Sequence, residues 1–443
     1  MSNKTARQKG VLPKLRFPAF QGHEKWSCPS LSDISTPITR KVGDLSLETA
    51  SITAGFGFVS QSKKFGRDIS GKQYKNYIVL NEGEFSYNKG NSKKFPQGCI
   101  YKLTGFKKVA VPNSFISFRI KKNYVADFYR GYFDNNFHGW QIIQFITSGA
   151  RSDGLLNINS DDFYSIKLPT PSEKEQQKIA DCLSSIDELI AAEGQRLEAL
   201  REHKKGLMQQ LFPAAGETLP KLRFPAFRDA PGWEVKKFEE IYSFKRTNSY
   251  SREMLNLEKG TIKNIHYGDI HKKYPSHFNI EKEHVPYVIE SSLIKKITQD
   301  EYCREGDLIF ADASEDIEDV GKCIEVILLN NEKIISGLHT ILARQKTERL
   351  VIGFSGYLFH SYVIRDQIRK ESQGAKVLGI SRGRLAGIDV CFPKGKKEQQ
   401  KIADCLSSID ELIAAEGRRL KALREHKKGL MQQLFPAAGE VAG

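Results

Sequence analysis

Six stretches of this 443-residue chain concentrate side chains suited to phosphates and base edges. In the first half they are SQSKKFGR (60–67), with Lys63, Lys64 and Arg67; YNKGNSKK (87–94), with Lys89, Lys93 and Lys94; and GARSDG (149–154), with Arg151. In the second half they are FKRTNSYSR (244–252), with Lys245, Arg246 and Arg252; HYGDIHKK (266–273), with His271, Lys272 and Lys273; and GAKVLGISRGR (374–384), with Lys376, Arg382 and Arg384. Arg and Lys hold phosphates and read guanine, and Asn and Gln read adenine, so these are candidate nucleic-acid contacts. The competing reading is a merely solvated basic surface. The two G-A-R/K loops stand above the rest because they occur equivalently in both halves. A net charge of +15 favours a polyanionic partner. No lipidation motif or separate basic amphipathic helix supports a membrane surface, so nucleic acid is preferred.

Other chemistries are poorly supported. His266, His271, His277 and His284 do not share a helical face and have no Cys nearby, so no metal site is expected. Seven scattered cysteines without a CxxC pair fit a reduced chain, and Cys182 and Cys405 read as core. GFGF (55–58) is a poor dinucleotide fingerprint, and DVGK (319–322) lacks the glycines of a phosphate-binding loop. There is no N/D-P-P-Y/F motif and no helicase signature. SEDIED (314–319) offers carboxylates for a nuclease, or simply a solvated loop. No run of 18 apolar residues and no apolar stretch after the basic N-terminus argue against a membrane span or secretory signal; a cytoplasmic chain is expected.

The elements that must position these loops are written twice. Lys174–Glu217 and Lys397–Glu440 match at an offset of 223, differing only at Gln195/Arg418 and Glu198/Lys421. LPKLRFPAF at 12–20 returns at 219–227, an offset of 207, and Trp26 and Ile34 return as Trp233 and Ile241. NEGEFSYNKG (81–90) aligns with REGDLIFADA (304–313) at 223 again, so the second half holds 16 extra residues between Ile241 and Arg304. The two halves are expected to differ most there. Short β-rich runs (YIVL, VAVPNSFISFRI, LIFADA, CIEVILL) alternate with helical stretches (NYVADFYRGYFDNN, GYLFHSYVIRDQIRK), which predicts α+β domains. The expected division is a lead-in segment 1–25, a domain 26–171, a helix 172–213, a repeated lead-in and linker 214–232, a second domain 233–394, a second helix 395–436 and a tail 437–443.

The repeated segment carries a heptad seam. Ile179, Leu183, Ile186, Ile190, Glu193, Leu197, Leu200, Lys204, Leu207 and Leu211 recur at spacings of four and three, as do Ile402, Leu406, Ile409, Ile413, Glu416, Leu420, Leu423, Lys427, Leu430 and Leu434. Ser172 and Glu175 have capping-box spacing, and Pro213 ends the helix. A parallel in-register pair would set Glu193 on Glu416 and Lys204 on Lys427. Antiparallel pairing within the chain avoids this and is the preferred reading, against helices that pack only on their own domains. It implies two mixed α/β domains on an intramolecular antiparallel coiled coil, related by an approximate two-fold axis.

This arrangement resembles the specificity subunit of type I DNA restriction-modification enzymes over essentially the whole chain. The likeness rests on P-x-P-x-x-x-E-Q-x-x-I-A (Pro169, Pro171, Glu175, Gln176, Ile179, Ala180), on FPAF followed by a Trp, on the G-A-R/K loops and on YGDIHKKY (267–274). The second helix departs from the pattern: FPKGKKEQQ lacks the second proline and the Ser cap, leaving Gly395 to start it. The resemblance implies that each variable domain is a target-recognition domain reading half of a bipartite double-stranded DNA site. The paired helices would space the domains and dock two copies of the methylation subunit, with restriction/translocase subunits completing the assembly. It also implies no catalytic site and no cofactor in this chain, with S-adenosylmethionine, ATP and Mg on the partners. The runner-up is a coiled-coil interaction scaffold without sequence-specific DNA recognition. Helix identity fits either two identical partners or a recent duplication.

Overall fold

The computed structural model describes residues 10–90, 95–146, 155–289 and 296–441. It divides into two compact units, Met1–Gly194 with Arg418–Gly443 (unit 1) and Gln195–Gly417 (unit 2). Among the described residues no helix is long and apolar enough to cross a membrane.

The repeated segments form helices Glu173–Leu211 and Lys396–Leu434. In unit 1, Ile179 and Leu183 of the first helix share a core with Met431 and Leu434 of the second and with Phe435 just beyond it. Asp187 pairs with Lys427, and Glu193 with Arg419 at 2.9 Å. In unit 2, Leu211 packs with Ile402 and Leu406, Lys204 meets Asp410 at 2.6 Å, and Arg196 meets Glu416 at 3.2 Å. As residue numbers rise along one helix their partners' numbers fall along the other, so the pairing is antiparallel in each unit. Of the seam positions, Ile179, Leu183, Leu197, Leu211, Ile402, Leu406, Ile409, Leu420 and Leu434 are buried, and Ile186, Ile190, Leu200, Leu207, Ile413, Leu423 and Leu430 are half-buried. The charged seam residues avoid like charges by taking opposite charges from the facing helix.

Each helix start explains why the repeats include both EQ and the distant LPKLRFPAF. The Arg16 guanidinium grips Glu175 with two bonds of 2.8 Å, and Arg223 grips Glu398 at 2.7 and 2.8 Å. Bidentate Arg–carboxylate pairing fixes orientation as well as distance. Gln176 accepts the Val125 N–H at 2.9 Å and donates to Pro171 O; Gln399 accepts from Val351 at 2.8 Å and donates to Pro393 O. Glu therefore anchors the lead-in segment, and Gln anchors the domain. The capping-box expectation holds only in part. Ser172 Oγ accepts the Glu175 N–H at 3.4 Å, but the Glu175 carboxylate turns to Arg16. Gly395 O accepts the Glu398 N–H at 3.1 Å at the second start.

Unit 1 carries β1 (Ser35–Pro37), β2 (Ala50–Thr53), β3 (Gly57–Ser60), β4 (Ile78–Asn81), β5 (Phe85–Asn88), β6 (Cys99–Lys102), β7 (Lys108–Val111) and β8 (Ile116–Ile120). The main sheet is antiparallel in the order β1-β8-β5-β6, with β2-β3 and β4-β7 as separate pairs. Alternation selects the faces: Phe85 and Tyr87 of β5 and Ile116 and Phe118 of β8 enter the core that includes the long helices. Phe85 and Phe118 are register partners with stacked rings 5.4 Å apart. The helix Ala126–Asp134 approaches the first long helix closely because Gly131 lies there; a Cβ at that position would stand 2.8 Å from Leu183 Cδ1.

Unit 2 carries β9 (Glu234–Lys237), β10 (Tyr242–Lys245), β11 (Leu255–Asn256), β12 (Lys263–Ile265), β13 (His277–Asn279), β14 (Tyr287–Val288), β15 (Leu308–Ala311), β16 (Ala313–Ser314), β17 (Cys323–Leu328), β18 (Ile334–Ser336), β19 (Thr340–Gln345), β20 (Leu378–Gly379) and β21 (Asp389–Phe392). Its main sheet, β10-β19-β15-β17, repeats the order of unit 1, with β13 added parallel to β17. The strands β11, β12, β13 and β14 and the helix Tyr267–Lys272 all fall between Ile241 and Arg304, where the insertion was expected. These elements cover the second sheet face: Leu308 and Phe310 face the long helices, while Ile309 and Ala311 face a second core with Ile265, Ile270 and Phe278. A strand buried on both faces needs an unbroken apolar run, which LIFA provides. The helix read across GYLFHSYVIRDQIRK is in fact two, Phe354–Leu358 and Tyr362–Glu371. Ser361 adopts extended backbone between them and starts the second, its carbonyl accepting the Arg365 N–H at 3.0 Å, while His360 Nδ1 donates back to Gly356 O at 2.7 Å.

Candidate nucleic-acid interface

In unit 2 the three basic stretches converge at one end of the main sheet. The chain leaves β10 at Lys245, and the Asn248 N–H reaches Ser336 O at 2.9 Å. The helix Tyr267–Lys272 is capped by His266, whose ring accepts the Gly268 N–H at 3.2 Å. Burial, with nearby Arg252, holds the His266 pKa below the usual imidazole value. His271 Nε2 donates to Ala313 O at 2.9 Å, and the Tyr267 ring stands 5.3 Å from that of His339. The third stretch joins through the Ile380 N–H, which donates to Asp312 O at 2.8 Å. Segments far apart in sequence therefore share one surface.

The cations within this surface divide into two groups. Asp269, 1% exposed, takes Arg252 at 2.8 Å and Lys273 at 2.9 Å. Burial pushes the Asp269 carboxyl up, but the bonds from Arg252 and Lys273 win and hold it below its ordinary value. Lys245 meets Asp300 at 2.9 Å, Arg384 meets Glu371 at 3.0 Å, and exposed Arg246 lies 3.8 Å from Glu301. Lys272, Lys376 and Arg382 are exposed and make no hydrogen bond or ion pair among the described residues. Base or phosphate contact is chemically simplest for this second group, whose donors are unspent.

Unit 1 brings together fewer of its candidates. The Leu156 N–H donates to Lys89 O at 3.0 Å, and Lys89 Nζ donates to Ile158 O at 3.0 Å, so the segments around 89 and 156 meet. Lys93, Lys94 and Arg151 lie outside the described residues. Lys63, Lys64 and Arg67 sit apart, at and just beyond the short helix Gln61–Phe65, which packs on the β2-β3 hairpin; Lys64 Nζ donates to Ile52 O at 2.9 Å. Lys63 and Arg67 are exposed without a partner among the described residues.

Sequence reasoning missed the residues that tie each domain to the helices. Asp187 takes Arg130 at 2.9 Å besides Lys427, and Asp410 takes the Tyr357 hydroxyl at 2.8 Å besides Lys204. Their signal was present as a repeated Asp beside the seam, and Arg16/Arg223 with Glu175/Glu398 were likewise repeated pairs. Among the described residues no His, Cys, Asp and Glu gather as metal ligands would.

Comparison with known proteins accords with this geometry. A family model described as type I restriction modification DNA specificity domain matches residues 40–202 and 231–425. The type I restriction enzyme MjaVIII specificity subunit of Methanocaldococcus jannaschii is 26% identical over 298 residues, spanning 66% of this chain and 66% of that protein. The putative MjaX specificity subunit of the same organism is 24% identical over 325 residues, spanning 72% of this chain and 69% of that one. In fold, the chain is similar to the crystal structure of a type I restriction-modification S subunit from M. genitalium, with a TM-score of 0.54 and 14% identity, covering 96% of this chain and 99% of that one. A second solved chain, from work on complex assembly and conformational transition of the type I R-M system, gives a TM-score of 0.54 and 15% identity, with 94% and 97% covered.

Proposed function

The chain belongs to the type I restriction-modification DNA specificity family, and from that premise we propose that it is the DNA-reading and scaffold subunit of a methylating and restricting complex, without catalysis of its own. Domains 26–171 and 233–394 are the target readers, each taking one half of a bipartite duplex site. Helices 172–213 and 395–436 space them and dock two copies of the methylation subunit, which restriction subunits then join in the cytoplasm. S-adenosylmethionine, ATP and Mg act on those partners. One observation carries the reading. The same Arg–Glu and Asp–Lys ties recur in both units, while the sheet ends they support bear different side chains. Equivalent frames suit two copies of one partner, and unlike readers suit an asymmetric site.

The test is to map methylated adenines in cells carrying the complex. A single split motif modified on both strands is expected. Exchange of Trp26–Pro169 for another member's domain should then alter one half-site only; alteration of both sinks the two-reader scheme. Specific binding by the assembled complex should weaken steeply with salt. Salt-insensitive or sequence-blind binding would favour a bare coiled-coil scaffold.

A further inference from the structure

At the sheet end of unit 2, Asp312 and His339 stand among the basic loops yet belong to none of the six stretches. Asp312 follows β15 directly, and its backbone is held on both sides: its N–H donates to His339 O at 3.1 Å and its carbonyl accepts the Ile380 N–H at 2.8 Å. Its Oδ1 lies 3.3 Å from His339 Nδ1, with the side chains 31% and 52% exposed respectively. His339 adopts a φ of +52°, a left-handed backbone disfavoured for a residue with a Cβ and enriched at functional sites. Its ring meets Tyr267 edge-on at 75°, so the imidazole is braced from one side and paired with the carboxylate on the other. Thr247, Asn248, Ser381 and Arg382 complete an open cleft around the pair.

The equivalent place in unit 1 has the opposite charge. Asp312 lies 223 residues after Lys89, and each is the first residue beyond corresponding strands, β15 and β5. Corresponding positions of opposite charge suit readers of two different half-sites. An ionised carboxylate only accepts hydrogen bonds. In the major groove it therefore suits the exocyclic amine of cytosine or adenine and is repelled by the acceptors of guanine and thymine. Arg382, exposed beside it, carries the donor fork that fits guanine O6 and N7.

We propose that Asp312, positioned by His339, demands an amino-bearing base, cytosine or adenine, at one position of the half-site read by unit 2, with Arg382 taking a neighbouring guanine. The inference rests on the DNA-reading role proposed above and assigns the side chains that set its specificity. The test uses the whole complex expressed with wild-type, Asp312→Asn, His339→Asn or Arg382→Ala chains, with methylated adenines mapped by sequencing. Asp312→Asn should admit guanine or thymine at one position, with discrimination there falling about tenfold or more. Arg382→Ala should relax a neighbouring position, and the other half-site should stay as it was. His339→Asn tolerates the left-handed backbone and should relax the same position as Asp312→Asn, whereas a merely structural role would depress modification at every site alike. An unchanged motif with Arg382→Ala and with either partner variant overturns the proposal, as does relaxation confined to the other half-site. Arg382 makes no hydrogen bond or ion pair among the described residues, so its variant should fold and remains informative if Asp312→Asn fails to assemble. A wild-type complex that modifies no split motif overturns the DNA-reading role instead.

Discussion

Replacing Glu398 by Gln removes one charge from the pair that anchors the repeated lead-in segment of unit 2. Arg223 and Glu398 side chains are 8% and 4% exposed, so water screens little of their interaction. Leaving one partner of such a pair charged and unmatched costs about 3–5 kcal/mol. Arg223 keeps bonds to Ala230 O at 2.6 Å and Pro231 O at 3.0 Å, which places the loss near the lower bound, about 3 kcal/mol. At about 2–4 °C per kcal/mol for a unit of this size, unit 2 should melt roughly 6–12 °C lower. Unit 1 supplies the internal control. Glu175→Gln breaks the matching pair with Arg16, but Trp233 Nε1 donates to Glu398 at 3.2 Å while Trp26 Nε1 has no hydrogen-bond partner among the described residues. Gln keeps an oxygen that can accept the Trp233 N–H but loses the charge that strengthens that bond, so Glu398→Gln should cost about 0.5–1 kcal/mol more than Glu175→Gln. Hydrogen exchange on the full chain in rising urea, followed by mass spectrometry, reads each unit separately. Protection should fall first in unit 2 for Glu398→Gln and in unit 1 for Glu175→Gln. The double change Arg223→Met with Glu398→Met should recover most of the loss, since an apolar pair carries no unmatched charge. A loss under about 1 kcal/mol, or a double variant no better than the single, would refute the buried-pair argument.

The remaining expectations concern burial. Burial pushes Glu325 up to about 8 against the opposing Gly353 and Gly356 N–H bonds, so the folded chain keeps it protonated where the unfolded chain ionises it. Its contribution is complete below the unfolded carboxyl pKa of about 4.3 and is lost as pH rises through 8. Urea unfolding of unit 2 should thus weaken between pH 6 and 8, and Glu325→Gln should flatten that slope; an unaltered slope counts against it. Burial pushes His138 in unit 1 down to about 3 and His360 in unit 2 down to about 4, so both units should lose stability as pH falls below about 6.5. Leu183, 2% exposed, packs on the second long helix, and its change to Ala should cost about 2–5 kcal/mol. Leu189, 39% exposed on the same helix, should tolerate Ala within about 0.5 kcal/mol, and equal costs in unfolding titrations would contradict the seam assignment.

The helices and their seam were legible because four-three spacing maps onto one stripe of a helix whatever lies around it. The repeats located the insertion, since an offset that grows from 207 to 223 must grow somewhere definite. Partner choice was not legible to the same degree. Like charges at Glu193/Glu416 and Lys204/Lys427 spoke against parallel pairing, but that Lys204 would meet Asp410 depends on the antiparallel register. The apolar period of GYLFHSYVIRDQIRK continued through the break at Phe359–Ser361, where His360 is half-buried and bonded back to Gly356 and Ser361 is extended.

The basic loops mark the boundary most clearly. Residue types nominated Arg252, Lys273, Arg384 and Lys245 as readily as Lys272, Lys376 and Arg382. The first four proved to be held by Asp269, Glu371 and Asp300, and the last three were left exposed. Asp312 lies within the aligned REGDLIFADA and His339 within no motif, and neither residue type marks the two as a pair. By itself the sequence determined the duplicated frame, the coiled-coil helices and the basic character, all of which are local or periodic properties. Only the tertiary structure decided which cations remain free and which loops share a surface. Those outcomes depend on contacts such as Arg223 with Glu398, 175 residues apart, and no short-range spacing encodes them.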